Sequence, residues 1–449
     1  MRIHAMLLVL GALMLCLAAS APSDQPDSKG GICNSYCGNY RVAEDHLLGI
    51  DRFVMDSGET ALLISDYQSG IVRRLFPVSD SEFTMGPNFD VQAPIELTVE
   101  FRKDKQGNVA GIALQPTGGV KSFATLVPLK EEDVTFSNGD TKLSGTLMMP
   151  ASEGLHPAII LLHGSGPLTR YSFGPYPHFF TSLGFAVLIY DKRGTGASTT
   201  TLTDASTGLA MNASMYPDEL VEDALAGFRA LQRHDGIDPK KIGVWGSSEG
   251  GMLATQVAAR SRDVAFAIDS SGFMGPLWKT TLYQAAAIPR HYGASEKAVQ
   301  ESVAFTKQWL DVARTGKGWH AFVKRREEIR QKNKYLLSWS SGDFTSLEQM
   351  RWYWDHTLSF SPLPALKNVT CPVLGVFGQL DTSTDALVAA DNLQRTLLEV
   401  GNKNVTVKIF AGAGHSLAVA SGDRMAPGVF NTLHSWLVDR VQMPEHTQR

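Results

Sequence analysis

Cysteine is scarce in this chain, one-sided charge is absent, and long apolar runs are confined to its first residues. Four cysteines among 449 residues are too few for a disulfide framework. The formal net charge is −4 and the isoelectric point is near 6.3. That balance argues against nucleic acid or an anionic membrane surface as the main partner. Past residue 21 no stretch is apolar for long enough to span a bilayer, so no stable membrane insertion is expected of the rest. Cys33 and Cys37 have no nearby histidine pair, which makes a poor zinc site. No metal and no cofactor are called for. What remains is 43% hydrophobic and 19% charged, the composition of a folded globular protein with room for two or three domains.

The first 21 residues read as a signal peptide. Arg2 and His4 precede an apolar stretch from Met6 to Leu17, and Ala19-Ser20-Ala21 resembles a processing site. A secreted or periplasmic protein is expected. In such an oxidising compartment Cys33 and Cys37 are close enough to pair. Cys371, before Pro372, reads as a buried structural thiol.

Residues 22–39 are rich in Ser, Pro, Asp and Gly and read as a flexible leader. From residue 40 to 125 short β-like runs dominate, among them Ala61–Ser65, Ile71–Leu75, Ile95–Phe101 and Val109–Leu114. A small antiparallel β-domain is expected there. Glu131-Glu132-Asp133 marks a boundary, and a hairpin around Asn138-Gly139 opens a second domain spanning 131–445. Within it, Ala158–Leu162 and Phe185–Tyr190 are apolar throughout, and Leu220, Val221, Ala224, Leu225, Phe228 and Leu231 share a helical face. Strands apolar on both sides, alternating with helices, imply a mostly parallel sheet with helices on both faces. Between about 273 and 362 helical patterns replace the strands. Six of the eight Trp lie there, as in a helical cap inserted over the sheet. These aromatics either line a cleft or fill the cap's own core.

Chemistry points to Gly246-Ser247-Ser248-Glu249-Gly250. With 41 glycines, chance alone would produce roughly 0.3 matches to G-x-S-x-G, so context decides. An apolar strand precedes the motif and a helix-compatible run follows it, the setting of a nucleophile elbow. A serine hydroxyl is a weak nucleophile without a base, and the base needs an orienting acid. In an open parallel sheet both belong just past the carboxyl ends of strands. Asp381 follows Val373–Gly378, and His415 follows Val405–Phe410. Asp385 is the reserve acid. The oxyanion of a tetrahedral intermediate needs donors. The N–H of Glu249 is one. The other is expected from the loop His163-Gly164-Ser165-Gly166-Pro167, with Ser165 favoured and Gly164 the alternative. His163 reads as a residue that holds this loop.

The segments 163–167, 191–198 and 246–251 resemble the α/β-hydrolase family, and within it two-domain bacterial esterases with a small N-terminal β-domain. The likeness covers about residues 131–445. It implies an α/β-hydrolase fold, a serine hydrolase acting on carboxylic esters, and the order Ser248, Asp381, His415 for the triad. In that family Asp191–Ser198 is a structural turn with no catalytic part. Ser247 departs from the family, which often has His there. A peptidase, a thioesterase or acyltransferase, and a non-catalytic binding protein are the competing readings. Short acyl chains are expected, and the oligomeric state is left open.

Overall fold

Eight short strands come first and close on themselves. They are β1 (Gly38–Ala43), β2 (His46–Val54), β3 (Thr60–Asp66), β4 (Val72–Pro77), β5 (Glu82–Met85), β6 (Leu97–Lys103), β7 (Val109–Pro116) and β8 (Ser122–Leu126). Each pairs antiparallel with the next, and Tyr40 and Arg41 of β1 pair with Leu126 and Thr125 of β8 to complete a barrel. The computed structural model describes residues 35–55, 58–201, 216–332 and 344–441. The expected signal peptide and all but the last residues of the leader lie outside them, as does Cys33. The barrel is filled by its own side chains. Ile50, Leu62, Ile64, Val99, Phe101 and Ile112 point inward, and Tyr36 stacks on Phe101 with ring centres 3.9 Å apart.

The second sheet also has eight strands. They are β9 (Leu129–Asn138), β10 (Thr141–Pro150), β11 (His156–Leu162), β12 (Ala186–Tyr190), β13 (Ile237–Ser247), β14 (Ala267–Ser270), β15 (Val373–Gly378) and β16 (Val405–Phe410). Their order is β16-β15-β14-β13-β11-β12-β10-β9. Pairing is parallel from β12 across to β16 and antiparallel at the β10 and β9 edge. Glu131, Glu132 and Asp133 lie inside β9 and are exposed. Charges on an edge strand discourage further strand pairing.

Every residue of β11 and β12 is buried, because helices cover both faces. On one face lie α1 (Tyr176–Ser182) and, from the far end of the chain, Val429–Val441. Their Phe179, Phe180, Phe430, Leu433 and Leu437 pack on Ile159, Val187 and Trp245. On the other face lie α2 (Pro217–Gln232) and α3 (Glu249–Arg260). The apolar stripe of α2 from Leu220 to Leu231 is buried there with Met252, Leu253 and Val257. Proline at its first position and Asp218 and Glu219 in its first turn suit a helix N-terminus. Each large apolar side chain removed from water contributes about 1.5–3 kcal/mol.

The insertion after β14 holds α4 (Leu277–His291), α5 (Glu296–Thr315), α6 (Trp319–Lys332) and α7 (Leu347–Tyr353). Phe305, Trp309, Phe322, Phe344, Met350 and Leu358 make its core, with Trp278, Trp319 and Trp354 packed against it. These tryptophans therefore fill the cap rather than line a cleft. Trp339 lies outside the described residues.

Barrel and sheet meet over α1. Asn39 Nδ2 donates to His178 O at 2.9 Å, and His178 Nδ1 donates to Asp51 Oδ1 at 2.6 Å. A cavity of about 290 Å³ opens beside this pair, lined among others by Arg52, Glu131 and Arg170, and none of Ser248, Asp381 and His415 borders it. Burial opposes a charge on the His178 ring, but the Asp51 carboxylate overrides it and raises the pKa above the ordinary value. A raised folded-state value stabilises fully below the unfolded pKa of about 6.5, and that contribution fades as pH rises through the folded value. The stability gap between wild type and His178→Gln should therefore narrow as pH rises from about 6 to 9. Denaturant unfolding across that range measures it; a gap that widens would remove the charged pair.

Candidate active site

The turn between β13 and α3 is made by one residue. Ser248 has φ 59° and ψ −121°, outside the regions comfortable for side-chain-bearing residues. Its N–H donates to Ser270 O at 2.8 Å, and its carbonyl accepts from Gly251 and Met252 at 3.0 and 3.2 Å. The flanking glycines are required by close backbone approach. A Cβ on Gly246 would lie 2.1 Å from Gly250 O, and one on Gly250 would lie 2.1 Å from Leu162 O. Ser248 Oγ is buried and has no hydrogen-bond partner among the described residues.

Asp381 follows β15 and is 3% exposed. Its Oδ1 accepts from the N–H groups of Ser383 and Thr384 at 2.7 and 2.9 Å. Its Oδ2 takes the Nδ1 hydrogen bond of His415 at 2.7 Å. With the proton on Nδ1, Nε2 is left as the acceptor, and it too is buried without a partner among the described residues. A relay of bonds joins this pair to the elbow. Thr384 Oγ1 donates to Ser271 O at 2.9 Å, Ser271 N donates to Val376 O at 2.9 Å, and the neighbouring Ser270 O holds Ser248 N. Asp385, the reserve acid, begins α8 (Ala386–Glu399) and uses its carboxylate to cap Val388 N at 3.2 Å.

The loop after β11 lies against the elbow. A Cβ on Gly164 would stand 3.5 Å from both Ser247 O and Ser248 Cβ. Gly166 has φ +103°, a conformation that favours glycine. Glu249 is the first residue of α3, where backbone N–H groups point outward from the helix start. His163 is buried against Phe173 at 4.4 Å and its Nε2 lies 3.2 Å from Thr169 O. Burial, then the nearby Lys192 ammonium, lowers its pKa to about 3. It is neutral and fastens the loop.

Sequence reasoning missed Lys192. Its side chain is 2% exposed, and its Nζ donates to Gly164 O at 2.9 Å and to Glu249 Oε2 at 2.5 Å. One cation thus ties the loop after β11 to the residue after the serine. Its neighbours behave alike. Asp191 takes Arg170 through Nε and Nη2 at 3.2 and 2.9 Å and Ala197 N at 3.0 Å. Arg193 pairs with Asp223 of α2 at 2.7 Å through Nε. The signals were its place in 191–198, one of the segments that carry the family resemblance, and three charged residues directly after a fully buried strand. Tyr283 was also missed. From α4 its Oη donates to Asp381 O at 2.6 Å, and Gln284 Nε2 donates to Ser383 O at 2.9 Å.

Among the described residues no three His, Cys, Asp or Glu gather as a metal site. Cys371 is half-buried beneath β15, where burial pushes its thiol up to about 12. The pairing expected of Cys33 and Cys37 rests on a residue outside the described ones.

Sheet order, elbow and an acid and histidine past β15 and β16 define an α/β-hydrolase. Residues 159–427 match the alpha/beta hydrolase family, and the chain belongs to it. It is 30% identical over 147 residues to the quorum-quenching protein AidA of Acinetobacter baumannii, covering 33% of this chain and 45% of that protein. It is also 30% identical over 180 residues to esterase EstD of Thermotoga maritima, covering 37% of this chain and 39% of that protein. The match spans less than half the length of either relative. A solved esterase of Pyrococcus furiosus aligns over 70% of this chain and 92% of its own, with 18% identity and a TM-score of 0.46.

Lys192→Met should destabilise the protein by about 3–5 kcal/mol, because it strands the buried Glu249 carboxylate. Lys192→Met with Glu249→Leu should recover much of that loss. Urea unfolding of the three proteins checks this; additive losses would show that the pair is not coupled.

Proposed function

We propose that the chain is an exported serine hydrolase that cleaves small carboxylic esters through an acyl-enzyme on Ser248. The carrying observation is the 2.7 Å bond from His415 to the buried Asp381, together with a serine on a strained bend at the end of a strand of the same sheet. Ser248 Oγ attacks the ester carbonyl carbon while His415 Nε2 takes its proton and Asp381 steadies the imidazolium. The oxyanion accepts hydrogen bonds from the N–H of Glu249 and of Ser165, or of Gly164 in place of the latter. Collapse expels the alcohol, which takes the proton back from His415. Water, deprotonated by His415, then releases the acid.

The likeness to a protein named as an esterase supports the ester reading. The character of residues 1–21 supports export. The cap supports small soluble substrates. Its α6 exposes Lys324, Glu328 and Arg330, a face ill suited to an acyl-lipid surface. With four of its tryptophans engaged in the cap core, no aromatic cleft is invoked.

Ser248→Ala should lower kcat by on the order of 10⁴–10⁶ while the protein stays folded, and His415→Ala should do nearly the same. Retention of a tenth of wild-type turnover by Ser248→Ala would overturn the nucleophile assignment. In a series of aryl esters kcat/KM should peak from acetyl to hexanoyl, each pocket methylene being worth about 1–3 kcal/mol. Faster cleavage of aminoacyl arylamides would make the chain a peptidase, and a steady rise to palmitoyl esters a lipase.

A further inference from the structure

The barrel touches the hydrolase unit at a second place, the segment that carries His415. Met425 N donates to Gly70 O at 2.8 Å, Val72 N donates to Asp423 O at 3.3 Å, and Ile71 and Arg424 form an antiparallel bridge. The turn between β3 and β4 therefore adds a short strand to residues 423–425. That segment is in turn zipped to the histidine turn. Ala418 bridges Met425, Ala426 N donates to Leu417 O at 2.8 Å, Ala413 bridges Val419, and Gly414 N donates to Ala418 O at 2.9 Å. A continuous ladder of backbone bonds runs from the barrel to the residue before His415.

Arg73 anchors the ladder from inside the barrel wall. It is 5% exposed, and its Nη1 donates to Gly86 O at 2.7 Å and to Glu96 Oε2 at 2.5 Å. Its Nη2 stands 3.6 Å from Asp423 Oδ2, and its Nε donates to Asp423 O at 3.5 Å.

The sheet leaves a need for such a support. β16 is the edge strand, so its following loop has a neighbouring strand on one side only. A loop of this kind is mobile unless something holds it. Misplacing a reacting group by about 1 Å can cost about 10²-fold in rate. We propose that the barrel is a brace for the catalytic histidine, with Arg73 and Asp423 as positioning residues that hold the turn at Gly414–Ala418 in register with Asp381. This rests on His415 serving as the base of the proposed hydrolase.

The test uses the full chain with Arg73→Met, Arg73→Lys and Asp423→Asn, followed by hydrogen–deuterium exchange and by kinetics on a short aryl ester. Asp423→Asn keeps the side-chain shape and guards against a variant that fails to fold. Exchange over 412–426 should rise about tenfold in Arg73→Met and Asp423→Asn and stay level over 372–400, with Arg73→Lys in between. kcat should fall about tenfold with KM within about twofold, because an interaction that orients the base acts on the chemical step. Unchanged exchange over 412–426, or raised exchange with wild-type kcat, overturns the brace. A wild-type protein without esterase activity overturns the hydrolase reading instead, while the exchange result still decides whether the barrel holds this loop.

Discussion

Backbone crossing at less than side-chain distance is the constraint on which this site depends. The elbow passes the end of β11 so closely that a methyl group at Gly250 would sit 2.1 Å from Leu162 O. The histidine loop passes the end of β15 in the same way, where a methyl at Gly378 would sit 2.1 Å from Gly414 O. Such contacts place backbone against backbone, the least deformable surfaces in a protein. They leave Ser248 in a strained conformation, a cost of order 1–3 kcal/mol that persists only where the surroundings determine it. Hydrogen bonds to both its N–H and its carbonyl provide that determination.

Charge then fixes what sterics leave free. Burying an ion costs several kcal/mol unless a partner and hydrogen bonds compensate it, so a buried pair adds little net stability but punishes misplacement. Arg170, Lys192 and Arg193 each meet a carboxylate from a different part of the chain: Asp191, Glu249 of α3 and Asp223 of α2. The turn after β12 is therefore a knot joining three elements. Lys192 matters most for the site, since one ammonium spans the loop after β11 and the residue after the serine.

Much of this was legible because it depends on local pattern. Strands apolar on both faces announce a covered parallel sheet, and G-x-S-x-G between strand and helix announces the bend. Asp381 and His415 followed from their places after strands. The barrel's closure was not legible, since it depends on Tyr40 meeting Leu126 across some 85 residues. Strands such as Gly38–Ala43 also bury one end rather than one face, so they lack the alternation that marks a half-buried strand. Lys192 was illegible for another reason. A lysine in a polar turn reads as solvated, and only the three-dimensional meeting of Gly164 and Glu249 makes it an internal cation. The tryptophans of the cap carried two readings in sequence, and for Trp278, Trp309, Trp319 and Trp354 packing favours the plainer one.

Supports gather where the sheet offers least. β13, which carries the serine, has β11 on one side and β14 on the other, and its bend is held by both neighbours. β16 lies at the open edge and the histidine follows it there, while the acid follows β15, one strand further in. The acid loop is gripped from the cap through Tyr283 and Gln284, and the histidine loop from the barrel through Gly70, Val72 and Arg73. Cap and barrel are distant in sequence and unlike in structure, yet one attaches beside the acid and the other beside the histidine, the group that the sheet supports from one side. The edge position of β16 makes an external support for the histidine loop necessary. The barrel answers that requirement by backbone pairing anchored on a buried arginine, while the cap holds the acid loop by side chains donating to backbone carbonyls.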